Sequence, residues 1–392
     1  MKFWNWNTAK VCKVLPAAMA TVGWVALNSA AWADHGGEDG DDGEHRAPAP
    51  PAVRHQRGYK QINLVADVPG QAAHNDTNLL NPWGLVIGSA GDLIVADNHS
   101  GLATFYGPDG GAVRMPIQVD DDPTGVAINH ASGEFLLTDG TNSHPARLLF
   151  ATESGRILGW SRAFNPSNAV VVADNSSSNA VYKGIALART RAGARLYAAD
   201  FHNGKVDVFD GSFHWIGSFT DPNMDNSFAP FNVQNIGGWL FVTFAKQLGP
   251  DNHDDEAGPG NGFVDIFRAD GHLARRFASH GALDSPWGLD VAPRSFGKFR
   301  GALLIGNFGD GRINAYSLRT GAFLGPLADF QGTPIEIEGL WALRFGRESD
   351  SGHGDEDDEE PSNALYFTSG PGGESHGLLG VIVPVPRLHH GE

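Results

Sequence analysis

Cysteine is almost missing from this 392-residue chain: Cys12 is the only one. It falls in an N-terminal segment where Lys2, Lys10 and Lys13 flank an apolar stretch from Val14 to Leu27, followed by the small-x-small site Ala31-Trp32-Ala33. That is the layout of a cleaved secretory signal over residues 1–33. A mature chain without a thiol excludes disulfides and cysteine-ligated metals, and a core of this size holds without such staples. Long hydrophobic runs are missing too. Thr21 and Gly23 interrupt the apolar stretch, which falls short of the roughly 20 residues a membrane span needs. The expectation is export, to the periplasm or the outside of the cell, with no transmembrane segment in the mature chain.

Positive charge is scarce. Lys and Arg number 28 against 45 Asp and Glu, and the formal charge of −17 becomes −20 once three lysines leave with residues 1–33. The excess acid is concentrated. Six acids lie in residues 34–44, four in 251–256 and seven in 350–360, with no Lys or Arg in any of these runs. The rest of the body is near neutral. Binding to a phosphate backbone needs clustered Lys and Arg, so no nucleic-acid partner is expected. Residues 34–57, rich in Gly, Asp, His and Pro, read as a disordered linker, and residues 387–392 as a short tail.

What the chain does have is repetition. Pro82-Trp83-Gly84-Leu85 returns as Pro286-Trp287-Gly288-Leu289. Weaker copies stand at Pro123-Thr124-Gly125-Val126, Tyr182-Lys183-Gly184-Ile185, Pro230-Phe231-Asn232-Val233 and Leu340-Trp341-Ala342-Leu343. Spacings at the Gly84 position are 41, 59, 48, 56 and 54 residues, against the roughly 40 to 50 of a four-stranded propeller blade. After each marker comes a strand ending in a polar residue, a tight turn and a further strand. Ser100-Gly101, Asn203-Gly204 and Asp310-Gly311 fall at one place in that pattern, where glycine supplies a positive φ. In the second copy Leu149–Thr152 fits this strand, with residues 134–139 as an insertion, although a register ending at Asp139 also fits. The prediction is an all-β, six-bladed β-propeller of four-stranded blades over residues 58–386. The sixth copy lacks a fourth strand, so residues 60–65 are expected to pair with it and close the ring. A β-sandwich and a solenoid fit the repeat less well.

The stretch from Pro286 through Asn314, with Ala245-Lys246-Gln247 and residues 258–262, resembles an uncharacterised secreted bacterial family, some members of which carry a PEP-CTERM sorting tail. The resemblance implies a six-bladed propeller similar to the NHL and SMP-30-like groups and brings no activity with it. Unlike the tailed members, this sequence stops at Glu392 after Val383-Pro384-Val385-Pro386.

Strand order places the loops leading into the inner strands, and those joining second to third strands, on one face around the mouth of the central channel. Asn81, Asp122, Asp284 and Glu338 precede inner strands. They form a candidate oxygen-rich site for a divalent cation such as Ca²⁺, or else cap turns. His99 and His202 hold equivalent turn positions and are candidates for a general base or metal ligand, or are plain exposed turn residues. In the insertion at 251–256, Asp251, Asp254 and Asp255 are candidate ligand contacts, although its spacing is not that of an EF-hand and a solvated flexible loop is the default. Lys246 is placed to hold an anionic ligand or to pair with these acids. Asp97, Asp200 and Asn307 are read as hairpin acceptors, and Trp83, Trp287 and Trp341 as packing rather than a sugar platform.

No Gly-x-Ser-x-Gly, His-Glu-x-x-His, phosphate-loop or dinucleotide motif occurs. The functional expectation is a monomeric binding or interaction module taking a protein or small molecule at the mouth. The alternative is a metal-dependent lactonase, related hydrolase or lyase with its site at the same mouth.

Overall fold

The computed structural model describes residues 58–119, 122–347 and 361–385. The expected signal and linker, the acidic run at 350–360 and the tail lie outside the described residues.

Among the described residues the blades are six antiparallel sheets of four strands, with the two-residue strand His74–Asn75 added in parallel at the outer edge of the sixth and a separate two-stranded hairpin inserted in the second. The first blade runs Pro82–Ile87, Leu93–Asp97, Leu102–Tyr106 and Ile117–Gln118. The inner strands of the others are Pro123–Ile128, Tyr182–Thr190, Phe228–Ile236, Pro286–Val291 and Leu340–Arg347. Each inner strand packs on the next, and the sixth returns to the first. Blade six has Pro361–Ser369 and Leu378–Pro384 as its second and third strands, and its fourth comes from the start of the domain. Tyr59–Ala66 pairs antiparallel with Leu378–Pro384, from Tyr59 opposite Pro384 to Ala66 opposite Leu378. The expected closure is therefore present, and it removes an open sheet edge. In blade two Leu148–Thr152 is the second strand, and Leu136–Thr138 pairs with Ser143–Pro145 as an inserted hairpin, which settles the register against Asp139.

The repeat marker follows from this geometry. Its third residue faces the neighbouring inner strand so closely that a Cβ built on Gly84 would lie 2.6 Å from the Thr124 carbonyl oxygen. On Gly125 it would lie 2.7 Å from the Ile185 nitrogen, and on Gly288 2.5 Å from the Trp341 oxygen. Glycine is what allows the backbones to approach. Blade four has Asn232 there instead, and its Nδ2 donates to the Trp287 carbonyl at 2.8 Å. The marker's second residue gathers at the axis. Trp83 stacks on Trp341 with ring centroids 3.6 Å apart, and Trp287 meets both edge-on at 6.3 and 5.9 Å. Phe231 packs against Trp341 at 5.9 Å. The tryptophans are framework, as expected, but they pack across the channel axis and plug it.

Candidate functional site

One marker position brings a charge into that plug. Lys183, from the inner strand of blade three, is among the largest fully buried side chains of the protein. Its Nζ lies 5.0 Å from the Trp83 ring centroid, a cation–π contact. Its ammonium pairs tightly with Glu153, carried by the turn between the second and third strands of blade two. Asp254 Oδ1, from the blade-four insertion, lies 3.5 Å away on the other side. Desolvation opposes the charge on Lys183, but the carboxylates of Glu153 and Asp254 outweigh it and hold its pKa above the ordinary value.

His253 completes the cluster, with its Nδ1 3.1 Å from Asp254 Oδ1 and 3.9 Å from Glu153 Oε1. The hydrogen bond to Asp254 raises the His253 pKa, and the same bond, helped by Lys183, draws Asp254 down to about 2. Burial pushes neighbouring Asp255 up to about 6. Across the mouth, burial likewise raises Glu374, from the loop between the second and third strands of blade six. Glu374 Oε2 accepts from Asn81 Nδ2 at 2.7 Å. Asn81 Nδ2 also donates to Asn98 Oδ1 at 3.2 Å, and Trp341 Nε1 donates to Asn81 Oδ1 at 3.1 Å. Asn98 Nδ2 in turn donates to Glu153 Oε2 at 3.2 Å. A continuous polar network thus joins blades one, two, three, four and six above the aromatic plug.

The insertion expected as a flexible, solvated loop is instead tied down. Leu248 N donates to Asp254 O at 2.8 Å, Glu256 N to Lys246 O at 2.8 Å, and Gln247 bridges Asp255. The loop thereby extends its own hairpin across the mouth. Gln247 Nε2 donates to the Phe201 carbonyl at 2.6 Å, and Gly258 N donates to Asp284 Oδ1 at 2.7 Å, so blades three and five both hold it. Lys246 pairs with Glu256 at 2.8 Å, which is the internal pairing of its two expected roles. Asp251 is exposed, and its carbonyl lies 2.9 Å from His202 Nδ1.

The proposed cation ligands do not converge. Asn81 is committed to the network just described. Asp284 accepts from Gly258, and Glu338 Oε1 accepts from Gly372 N at 3.0 Å. Asp122, at the surface, receives Glu153 N on its carbonyl at 3.2 Å. The aromatic plug fills the axis between their strands. Among the described residues, the group of three His and acid side chains whose ligand atoms all come within 4.8 Å of one another is Glu153, His253 and Asp254. A cation there would face the Lys183 ammonium, so the donor set suits an ion pair better than a metal. His99 is exposed, 3.5 Å from Asn81, and His202 is half-buried under the insertion, so the two equivalent histidines meet different surroundings.

Of the residues read as hairpin acceptors, Asp200 behaves so, whereas Asp97 accepts from a side-chain hydroxyl and Asn307 serves as a donor. Asp200 Oδ1 accepts from Val181 N at 3.2 Å and Asp97 Oδ2 from Thr104 Oγ1 at 2.8 Å. Asn307 Nδ2 donates to Ala282 O at 2.8 Å. Lys183, Glu153 and Glu374 are the residues sequence reasoning passed over. Lysine at a marker position otherwise filled by Trp, Phe or Thr was the available signal.

No family model matches the chain. Uncharacterized protein R648 of Acanthamoeba polyphaga mimivirus is 34% identical over 300 residues, 73% of each chain. Uncharacterized protein L690 of the same virus is 32% identical over 299 residues, covering 73% of this chain and 78% of the relative. Among solved structures, a structural genomics protein of unknown function from Bacteroides thetaiotaomicron superposes with a TM-score of 0.52. It is 10% identical, over 83% of this chain and 76% of that one, a likeness of fold alone. At this identity and coverage the chain belongs to the family of the mimivirus proteins R648 and L690.

Proposed function

We propose that the protein is an exported binding module that receives a ligand or partner protein at the channel mouth under the blade-four insertion. The observation that supports this reading is the network that fixes that insertion: a buried Lys183 held between Glu153 and Asp254, with contacts to the blades on either side. The network presents hydrogen-bonding groups over a closed aromatic floor, and the side chains gathered there are engaged with one another as ion pairs and acceptors. A ligand rich in N–H or O–H donors fits the carboxylates of Glu153, Asp254, Asp255 and Glu374 best. The test is capture from a periplasmic or secreted fraction, comparing the wild-type protein with a variant whose residues 251–256 are replaced by Gly and Ser. A component retained by the first and lost by the second is expected. Equal retention, or retention by neither, overturns the reading.

The metal-dependent hydrolase or lyase reading has one observation in its favour, the proximity of Glu153, His253 and Asp254. It requires a stoichiometric divalent cation. Elemental analysis of purified protein, with a thermal melt before and after Ca²⁺ addition, decides between the two. The expected result is no bound metal and no shift; a bound ion and a raised Tm would favour the enzyme.

A further inference from the structure

The far end of the channel is built differently. One residue beyond the marker, the six inner strands carry Val86, Ala127, Ala186, Gln234, Asp290 and Arg344. Blades one to three thus present an apolar arc, and blades four to six a polar one. Arg344 reaches across the channel from blade six. Its Nη1 donates to the Leu289 carbonyl at 3.0 Å and to its neighbour's at 3.2 Å, and its Nη2 donates to Gln234 Oε1 in blade four. The guanidinium forms no salt bridge with a described carboxylate. Asp290, the acid beside it, spends its oxygens on the Val291 and Phe345 N–H groups, both at 2.8 Å, and acts on Arg344 only at longer range. Burial lowers the Arg344 pKa, yet a guanidinium remains a cation in any protein setting. The side chain sits between two spaces. Toward the plug is a void of about 10 Å³, room for about one water. Toward solvent is an open cavity of about 360 Å³ walled by Val86, Ile128, Ile185, Leu187 and Phe345.

We propose that this far mouth is a second binding site, for a small monocarboxylate with an aliphatic or aryl body. The carboxylate would take the ion pair that Arg344 lacks, with Gln234 Nε2 as a further donor, while the body lies on the aliphatic arc. Arginine presents a planar fork that matches a carboxylate. A cavity of this size stands at the lower end of the roughly 300–1,000 Å³ range of small-molecule sites. With Asp290 offsetting Arg344, the guanidinium suits a single negative charge better than a phosphate dianion. The site lies at the opposite end of the inner strands from Lys183 and rests on none of the residues of the loop-covered mouth.

The test is calorimetric titration of the full chain with octanoate, and with octanamide and inorganic phosphate as comparisons. Octanoate is expected to bind one to one, with octanamide and phosphate each weaker by about ten-fold or more, the value of one charge-assisted pair. Arg344→Met should weaken octanoate by a similar factor. Leu187→Trp, which fills the cavity and leaves Arg344 in place, should abolish binding even if the Met variant fails to fold. Replacement of residues 251–256 should leave octanoate binding unchanged, so the two mouths fail or survive separately. Equal affinity for acid and amide, tighter binding of phosphate, or octanoate binding that survives Leu187→Trp overturns the proposal.

Discussion

Lys183 shows how much one residue can depend on distant parts of the chain. Its two acid partners lie 30 and 71 residues away, on the turn of one blade and the insertion of another. Removing the ammonium would leave Glu153, itself largely buried, without its counter-charge. Breaking a buried pair from one side typically costs about 3–5 kcal/mol. Lys183→Met is therefore expected to lower stability by about 3 kcal/mol in urea unfolding, and Lys183→Met with Glu153→Gln should recover part of that loss. A double variant no better than the single would show that the pair is not the source. The position of Lys183 was legible in the sequence, because the third marker reads Tyr-Lys-Gly where others read Pro-Trp-Gly. Its environment was not, since pairing across blades depends on loop paths that no local pattern encodes. The same reason undid the oxygen set at Asn81, Asp122, Asp284 and Glu338. Equivalent places in a repeat put residues on one face, but convergence also requires an open axis, and Trp83, Trp287 and Trp341 occupy it.

At the scale of the strand, the marker encodes contact between blades more than the conformation of any one of them. Gly288 has an ordinary negative-φ backbone, yet a Cβ there would lie 2.5 Å from the Trp341 carbonyl oxygen. Main chain cannot swing aside as a side chain can. Gly288→Ala is expected to destabilise by about 1–3 kcal/mol, the usual cost of overpacking. Gly133→Ala, on an exposed loop with nothing within 4 Å, should stay within about 0.5 kcal/mol of wild type. Equal urea midpoints for the two variants would contradict the role given to the marker glycine. The repeat was readable because this constraint recurs around the ring. The insertion at 251–256 was misread for the opposite reason. Its composition is that of a solvated loop, and what orders it is hydrogen bonding from its flanks, with Gln247 reaching blade three and Asp284 receiving Gly258.

For the whole molecule, closure by Tyr59–Ala66 makes the six blades one ring, so titration at the mouth should register in global unfolding. Glu374, raised by burial, contributes stability that is lost as pH rises, and three more groups set the rest of the direction. Asp254, drawn down to about 2 by His253 and then by Lys183, adds stability that is complete above an unfolded value of about 3.9 and is lost as pH falls toward 2. Asp255 runs the other way. Burial raises it to about 6, so between about pH 4 and 6 the unfolded chain ionises first and the folded state loses ground as pH rises. His253, raised by Asp254, contributes stability that is full below about 6.5 and is lost as pH climbs through its folded value. Asp255 and His253 therefore act in the same sense above pH 4, and Asp254 opposes them only below it. The mouth is expected to be most stable near pH 4 to 5, with Tm falling from pH 5 to pH 8. The Asp255 share is on the order of 2 kcal/mol, since one pKa unit is worth about 1.4 kcal/mol and the group keeps some solvent contact. Thermal melts across pH 3 to 8 measure this directly. Asp255→Asn should flatten the limb between pH 4 and 6, and His253→Gln the limb above about pH 6.5. A Tm that rises from pH 5 to 8, or limbs unchanged in both variants, would place the titrating groups elsewhere in the ring.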